Sequence, residues 1–196
     1  MIFGAIAVAC IGWAFTFGVP WGNFWIKIGI TVLCASAYAL AWRRPRISFA
    51  VHSITLGVLS AATLYGVFFL GNTLAPYIMP GAHAEVAGIY NLGSGMSRVW
   101  VMLLLLFITG PGEEIFWRGF LQEELERKWG AVYAWLTASA IYGGVHIFSG
   151  NPMLIAAALV AGLFWGGLYA WKKDLAALIV SHSLWSAFIF AVFPVH

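Results

Sequence analysis

The chain has 196 residues, 62% of them hydrophobic and only 9% charged, with a net charge of +3. Soluble domains carry about 25% charged residues, so the composition excludes a water-soluble globular protein and describes an all-α, polytopic membrane bundle. The basic residues are too dispersed for a nucleic-acid footprint. The two cysteines, Cys10 and Cys34, both lie in apolar stretches, which excludes a disulfide scaffold.

Apolar runs of about 20 residues read as transmembrane helices. Seven are expected, at 1–18, 24–42, 49–70, 98–118, 131–148, 153–171 and 175–193, within a single integral membrane domain, 1–196. The stretch 1–17 has no basic n-region and no clear small-residue cleavage site, so it reads as a retained first helix rather than a signal peptide. Most connections are very short. Only 71–97 is long, and with Pro76, Pro80, His83 and Glu85 it is a candidate cap on one face of the bundle.

The basic residues test this layout. Arg43, Arg44 and Arg46 follow the second span, Arg127 and Lys128 the fourth, and Lys172 and Lys173 the sixth. All three clusters fall on one side of a seven-span protein, while Lys27 and Arg98 fall near the other. By the positive-inside rule the clusters are cytoplasmic. The N-terminus is then cytoplasmic and His196 lies outside; separately, a bacterial or archaeal cell membrane is the expected location.

The fourth span carries Gly110-Pro111-Gly112-Glu113-Glu114-Ile115-Phe116-Trp117-Arg118-Gly119. An ionisable group at membrane depth costs roughly 2.5–3.5 kcal/mol on insertion scales, so such groups face a polar interior. Gly-Pro-Gly is expected to interrupt the helix, with Glu113 and Glu114 opening a new one at its positive end. Glu114 and Arg118 are spaced i, i+4, the favoured order for an ion pair. Glu113, about 100° round the helix, has no local partner and is a candidate base.

From Gly119 to Lys128 apolar and charged residues alternate at helical spacing, which predicts an amphipathic helix at the cytoplasmic interface with a solvated charged face. Ala158, Gly162 and Gly166 form a small-xxx-small ladder for helix packing. Trp42, Trp100, Trp129 and Trp171 stand at span ends, as interfacial belts require.

Two further polar groups sit inside spans: His146 in the fifth, four residues after Tyr142, and His182 in the seventh, followed one turn later by Ser186. A lone membrane histidine is ordinarily an interhelical hydrogen bond, and His52, beside the arginine cluster, fits that description. Glu113, His146 and His182 on three different helices point instead to one shared interior cavity. Two chemistries suit them. Glu113 can take a proton from water while the histidines donate to an oxyanion, or two histidines and a glutamate can hold zinc. A local H-E-x-x-H helix and a G-x-S-x-G elbow are both missing from the sequence.

Glu113-Glu114-x-x-x-Arg118, Tyr142-x-x-x-His146 and His182-x-x-x-Ser186 together resemble the three-motif pattern of the CAAX-protease and bacteriocin-processing (CPBP, or Abi) intramembrane endopeptidases, over about residues 98–190. The resemblance implies a helical bundle with a water-filled cavity. It implies that Glu113 activates the attacking water assisted by His146, that His182 and Ser186 stabilise the oxyanion, and that Glu114 and Arg118 form a structural pair. It implies a membrane-anchored protein or peptide as substrate, with no cofactor in the glutamic type and zinc in the metallo type, both of which have been argued for the family. Some bacterial relatives trim C-terminal sorting tags. Two positions depart from the family pattern: tyrosine replaces the common phenylalanine at 142, and serine replaces asparagine or aspartate at 186. Serine is shorter and offers no amide donor, so a catalytically silent scaffold or immunity protein of the same fold is a rival. A haem-binding protein or transporter using the two histidines is another.

Depth sets one condition. Glu113 lies about 15 residues, roughly 22 Å at 1.5 Å per residue, from Arg98, and His146 a similar distance from the opposite end of its own span. In straight antiparallel helices they are not level, and the expected break at 110–112 would bring them together.

Overall fold

A computed structural model describes residues 1–194, which are helical with no strand. The helices are α1 (Ile2–Gly18), α2 (Phe24–Trp42), α3 (Val51–Ile78), α4 (Ala82–Leu92), α5 (Arg98–Trp129), α6 (Ala131–Ser149), α7 (Pro152–Lys172) and α8 (Leu175–Val192). Six of these, α2, α3 and α5 to α8, are long and apolar enough to cross a membrane, and α1 is a shorter apolar helix of 17 residues. The chain is an integral membrane protein built as a polytopic helical bundle. The expected outer position of His196 falls outside the described residues.

Short polar residues set the helix starts. The Asn23 side chain accepts from the backbone N–H groups of Trp25 and Ile26, Asn151 from Leu154, and Asp174 from Ala177. Each satisfies a donor that a helix N-terminus leaves unpaired. Pro152 stands in the first turn of α7, where its missing N–H costs nothing. The helix α8 is innermost, packed between α3 and α5, while α1 lies against α2 and the end of α6, and α7 against α6. The small-residue ladder does pack α7 on α6: a Cβ at Gly166 would lie 2.8 Å from the Trp135 ring, and one at Gly162 3.3 Å from Ser139 Cα. Trp42, Trp100, Trp129 and Trp171 are all exposed, as interfacial residues should be.

The fourth span departs from expectation. There is no break at Gly110-Pro111-Gly112, and α5 runs through it as one 32-residue helix. Its turns are instead widened to π geometry at Leu105–Thr109 and again at Trp117–Gln122. A π turn just ahead of Pro111 gives its ring room and absorbs the missing N–H, the usual way a helix passes a proline. The glycines serve packing. A Cβ at Gly112 would lie 2.5 Å from Val32 Cγ1 on α2, and one at Gly110 2.8 Å from Ser183 Cα on α8. Ser36 Oγ donates to Gly112 O at 3.0 Å across the first contact. Glu113 and Glu114 therefore sit in mid-helix, not at a helix N-terminus.

Two other expectations change. Residues 119–128 are the last part of α5, not a separate amphipathic helix, and Leu121, Gln122, Glu124 and Leu125 are buried. Their charges are engaged: Arg43 pairs with Glu123 at 3.1 Å and Glu124 at 3.4 Å, Lys173 with Glu123 at 3.1 Å and with Glu126, and Arg127 with Glu124 at 3.2 Å. The third span is longer than expected, reaching Ile78, and the connection after it contains α4. That helix rests on α3 and α7, and the Asn151 side-chain amide holds Glu85 O at 2.8 Å.

Candidate active site

The polar groups of the fourth, fifth and seventh expected spans gather around one cavity of about 790 Å³. Glu113, Tyr142, His146, His182 and Ser186 all line it, and its remaining wall is largely apolar.

The floor is an ionic knot. Glu114 is fully buried, and its Oε1 accepts from Arg118 Nη1 at 2.8 Å and from His182 Nδ1 at 2.7 Å. The first contact is the i, i+4 pair expected from spacing. The second joins α5 to α8 and has no trace in sequence separation. A buried pair stripped of one partner leaves a charge in low dielectric, so such knots are costly to disturb. The Arg118 guanidinium lies 5.0 Å from the Tyr142 ring centre and 5.5 Å from that of Trp165, whose faces attract the cation. Trp165 also stacks on His182 at 4.0 Å between ring centres, and its Nε1 donates to Ser181 Oγ at 3.0 Å. With Nδ1 donating to Glu114, the tautomer of His182 is fixed and Nε2 is the nitrogen left for chemistry.

Glu113, one residue before Glu114, is 8% exposed and lines the cavity. The Tyr142 hydroxyl is within hydrogen-bonding reach of its carboxylate, and His182 and Arg118 are close enough to act on its charge. Its Oε2 has no protein partner among the described residues. A buried carboxylate oxygen without a donor is the type of acceptor that a water or substrate proton requires.

His146 shares the cavity but is held differently. Its Nδ1 donates to Tyr142 O at 2.7 Å, and its Nε2 accepts from the Trp13 indole N–H at 3.2 Å. Both ring nitrogens are thus in use, while the Tyr142 hydroxyl is in reach of Glu113. Tyr142 stands one turn deeper on α6, which closes the difference in depth without any break in α5. Ser186 is buried on the cavity wall one turn beyond His182. His52 lies away from the site, largely exposed and 3.7 Å from Asp174.

Among the described residues no three His, Cys, Asp or Glu side chains are placed to hold a metal ion, His146 lacks a free lone pair, and His182 Nδ1 is directed at Glu114.

Trp13 and Trp165 are the residues that sequence reasoning missed. The first three spans offered only hydrophobicity, and nothing in the spacing of Trp13 distinguishes it from a packing residue. Tyr142 was visible as a motif position, but its reach to Glu113 was not.

A helical membrane bundle with a carboxylate, two imidazoles and a buried ion pair around an interior cavity has the equipment of a membrane-embedded hydrolase. Residues 95–188 match the family model of the type II CAAX prenyl endopeptidase Rce1-like proteins. The matched segment contains Glu113, Glu114, Arg118, Tyr142, His146, His182 and Ser186. The family so matched is one of endopeptidases. Comparison with curated proteins and with solved structures returned no match.

Proposed function

We propose that this chain is an intramembrane endopeptidase of glutamate type, which hydrolyses a peptide bond in a membrane-anchored protein or peptide. The observation that carries the reading is Glu113: a buried carboxylate on a cavity wall, one oxygen free of protein donors, beside the Glu114–Arg118–His182 knot. Glu113 takes a proton from a water whose oxygen attacks the scissile carbonyl carbon. As the C–N bond breaks, the same proton passes to the leaving nitrogen, and the new carboxyl group releases its own proton to solvent. His182, held in place by its Nδ1 bond to Glu114, stabilises the developing oxyanion. Tyr142 orients the Glu113 carboxylate. His146, clamped by Trp13 and the Tyr142 carbonyl, fixes the wall on which Tyr142 stands. Ser186 adds a short hydroxyl to the oxyanion side.

The test is Glu113→Gln in the purified chain, with cleavage of a membrane-anchored reporter as readout. Cleavage is expected to fall by about 10²–10⁴-fold while the protein stays membrane-inserted with its melting temperature kept. Equal loss in a zinc chelator, restored by zinc, would move the site to the metallo type. Retained cleavage in Glu113→Gln would remove glutamate from the mechanism, and no cleavage by the unaltered chain would favour the silent scaffold.

A further inference from the structure

The cavity has a side. Its walls come from the end of α1, the start of α2, the last third of α3, α4, the first half of α5, the end of α6, the first half of α7 and the last half of α8. All of these adjoin the connections opposite Arg43–Arg46, Arg127–Lys128 and Lys172–Lys173. Toward the basic face the path is closed by Glu114, Arg118 and Gln122, all at most 2% exposed, and then by the Arg43, Lys173 and Arg127 ion pairs. By the positive-inside rule the basic face is cytoplasmic, so the cavity opens outward.

Two cations stand on that outer side. Lys27 is accounted for: its Nζ donates to Val19 O at 2.6 Å, capping α1. Arg98 is not. It is exposed, lines the cavity at its lip, and has no ion-pair partner among the described residues. A cation in the first turn opposes the helix dipole, so helix stability does not explain it, and the positive-inside rule disfavours it there. Among the described lining residues it is the only Lys or Arg, and Glu113 the only carboxylate.

We infer that Arg98 is a specificity residue that pairs with an acidic side chain of the substrate, an apolar segment of an exported polypeptide entering from the extracytoplasmic face. This rests on the endopeptidase reading and sharpens it. The apolar wall suits a stretch of membrane-embedded chain, and a volume of about 790 Å³ is of the size that holds a ligand rather than a folded domain. Arg98 and Glu113 stand 15 residues apart on one helix, so the acidic residue lies roughly 22 Å from the scissile bond.

The test needs no turnover. In a Cys10→Ala, Cys34→Ala background, Thr109→Cys deep in the cavity and Ile89→Cys on its α4 wall report access to a membrane-impermeant maleimide, with Arg44→Cys as the control for the basic face. In right-side-out vesicles Thr109→Cys and Ile89→Cys should label at least tenfold faster than in inside-out vesicles, with Arg44→Cys the reverse. A synthetic 20-residue Leu/Ala peptide ending in Glu should slow labelling at least fivefold, one ending in Lys less than twofold, and Arg98→Glu should invert that preference. Faster labelling from the basic face overturns the sidedness. Equal protection by the two peptides, or a preference unmoved by Arg98→Glu, overturns the role of Arg98 and leaves it a lipid-facing anchor. Because protection does not depend on cleavage, a loss of activity in Glu113→Gln and the outcome here are read separately.

Discussion

The two ends of this bundle are held by different forces. At the basic end, α2, α5 and the α7–α8 connection are tied by charges: Arg43 to Glu123 and Glu124, Lys173 to Glu123 and Glu126, Arg127 to Glu124. At the other end charge is sparse, and side-chain to backbone hydrogen bonds do the tying. Asn151 holds Glu85 O at 2.8 Å, Tyr90 holds Ile189 O at 3.0 Å, and Trp25 holds Gly93 O at 2.8 Å. The ionic end is filled and the hydrogen-bonded end encloses the cavity. Charges at an interface retain water on one side and so close a surface at low cost. A cavity that admits apolar chain needs walls without fixed charge, joined at points that can yield. Between the two lies the knot of Glu114, Arg118 and His182, which belongs structurally to the closed end and chemically to the open one.

Substitutions can break or sharpen that contrast. The largest effect is expected at the boundary on the cavity side. Glu113→Gln should lower cleavage by about 10²–10⁴-fold, the usual range for a general base, with thermal unfolding unchanged, because Glu113 carries no ion pair. Next is Glu114→Ala, which strands Arg118 in the interior. Removing one partner of a buried pair costs about 3–5 kcal/mol, so denaturant or thermal unfolding should show a loss of that order, with activity lost along with the fold. If Glu114→Ala instead left stability intact, the knot would not be the floor of the closed end. Trp13→Phe should come third. It leaves His146 Nε2 buried without its donor, a penalty of about 1–3 kcal/mol, and it should lower kcat more than it raises KM. The smallest effect belongs to the ionic end: Arg43→Ala should cost about 0.2–1 kcal/mol, shrinking further at high salt as screening grows. A larger, salt-independent cost would mean that the closed end is held by packing and not by charge.

Much of the site could be read before the fold was known, and the reason is local periodicity. Glu114 and Arg118 share a helix face at i, i+4, His182 and Ser186 share another, and a carboxylate in a membrane span needs an interior. Those arguments use only helix geometry and the cost of charge in lipid. They placed Glu113, Glu114, Arg118, His146, His182 and Ser186 in one region, and in the structure four of these, Glu113, His146, His182 and Ser186, line one cavity, with the Glu114–Arg118 pair beneath it. What failed failed for tertiary reasons. Gly-Pro-Gly has the sequence of a break, but its glycines are sites where α2 and α8 press against α5, and a π turn carries the chain past Pro111. The charged stretch after Gly119 reads as a solvated face until Arg43 and Lys173 are brought to it from other helices.

The amino-acid sequence by itself determined that this chain lives in a membrane, where its helices run, and which side chains are too costly to leave in lipid. These are properties of composition and of spacing along one helix. Only the tertiary structure decided that Glu114 serves Arg118 and His182 together, that Trp13 occupies His146, that Tyr142 reaches Glu113, and that the cavity opens at the face away from the basic clusters. Each of those contacts joins residues distant in the chain, and no periodicity along a single helix records which neighbour the fold will bring.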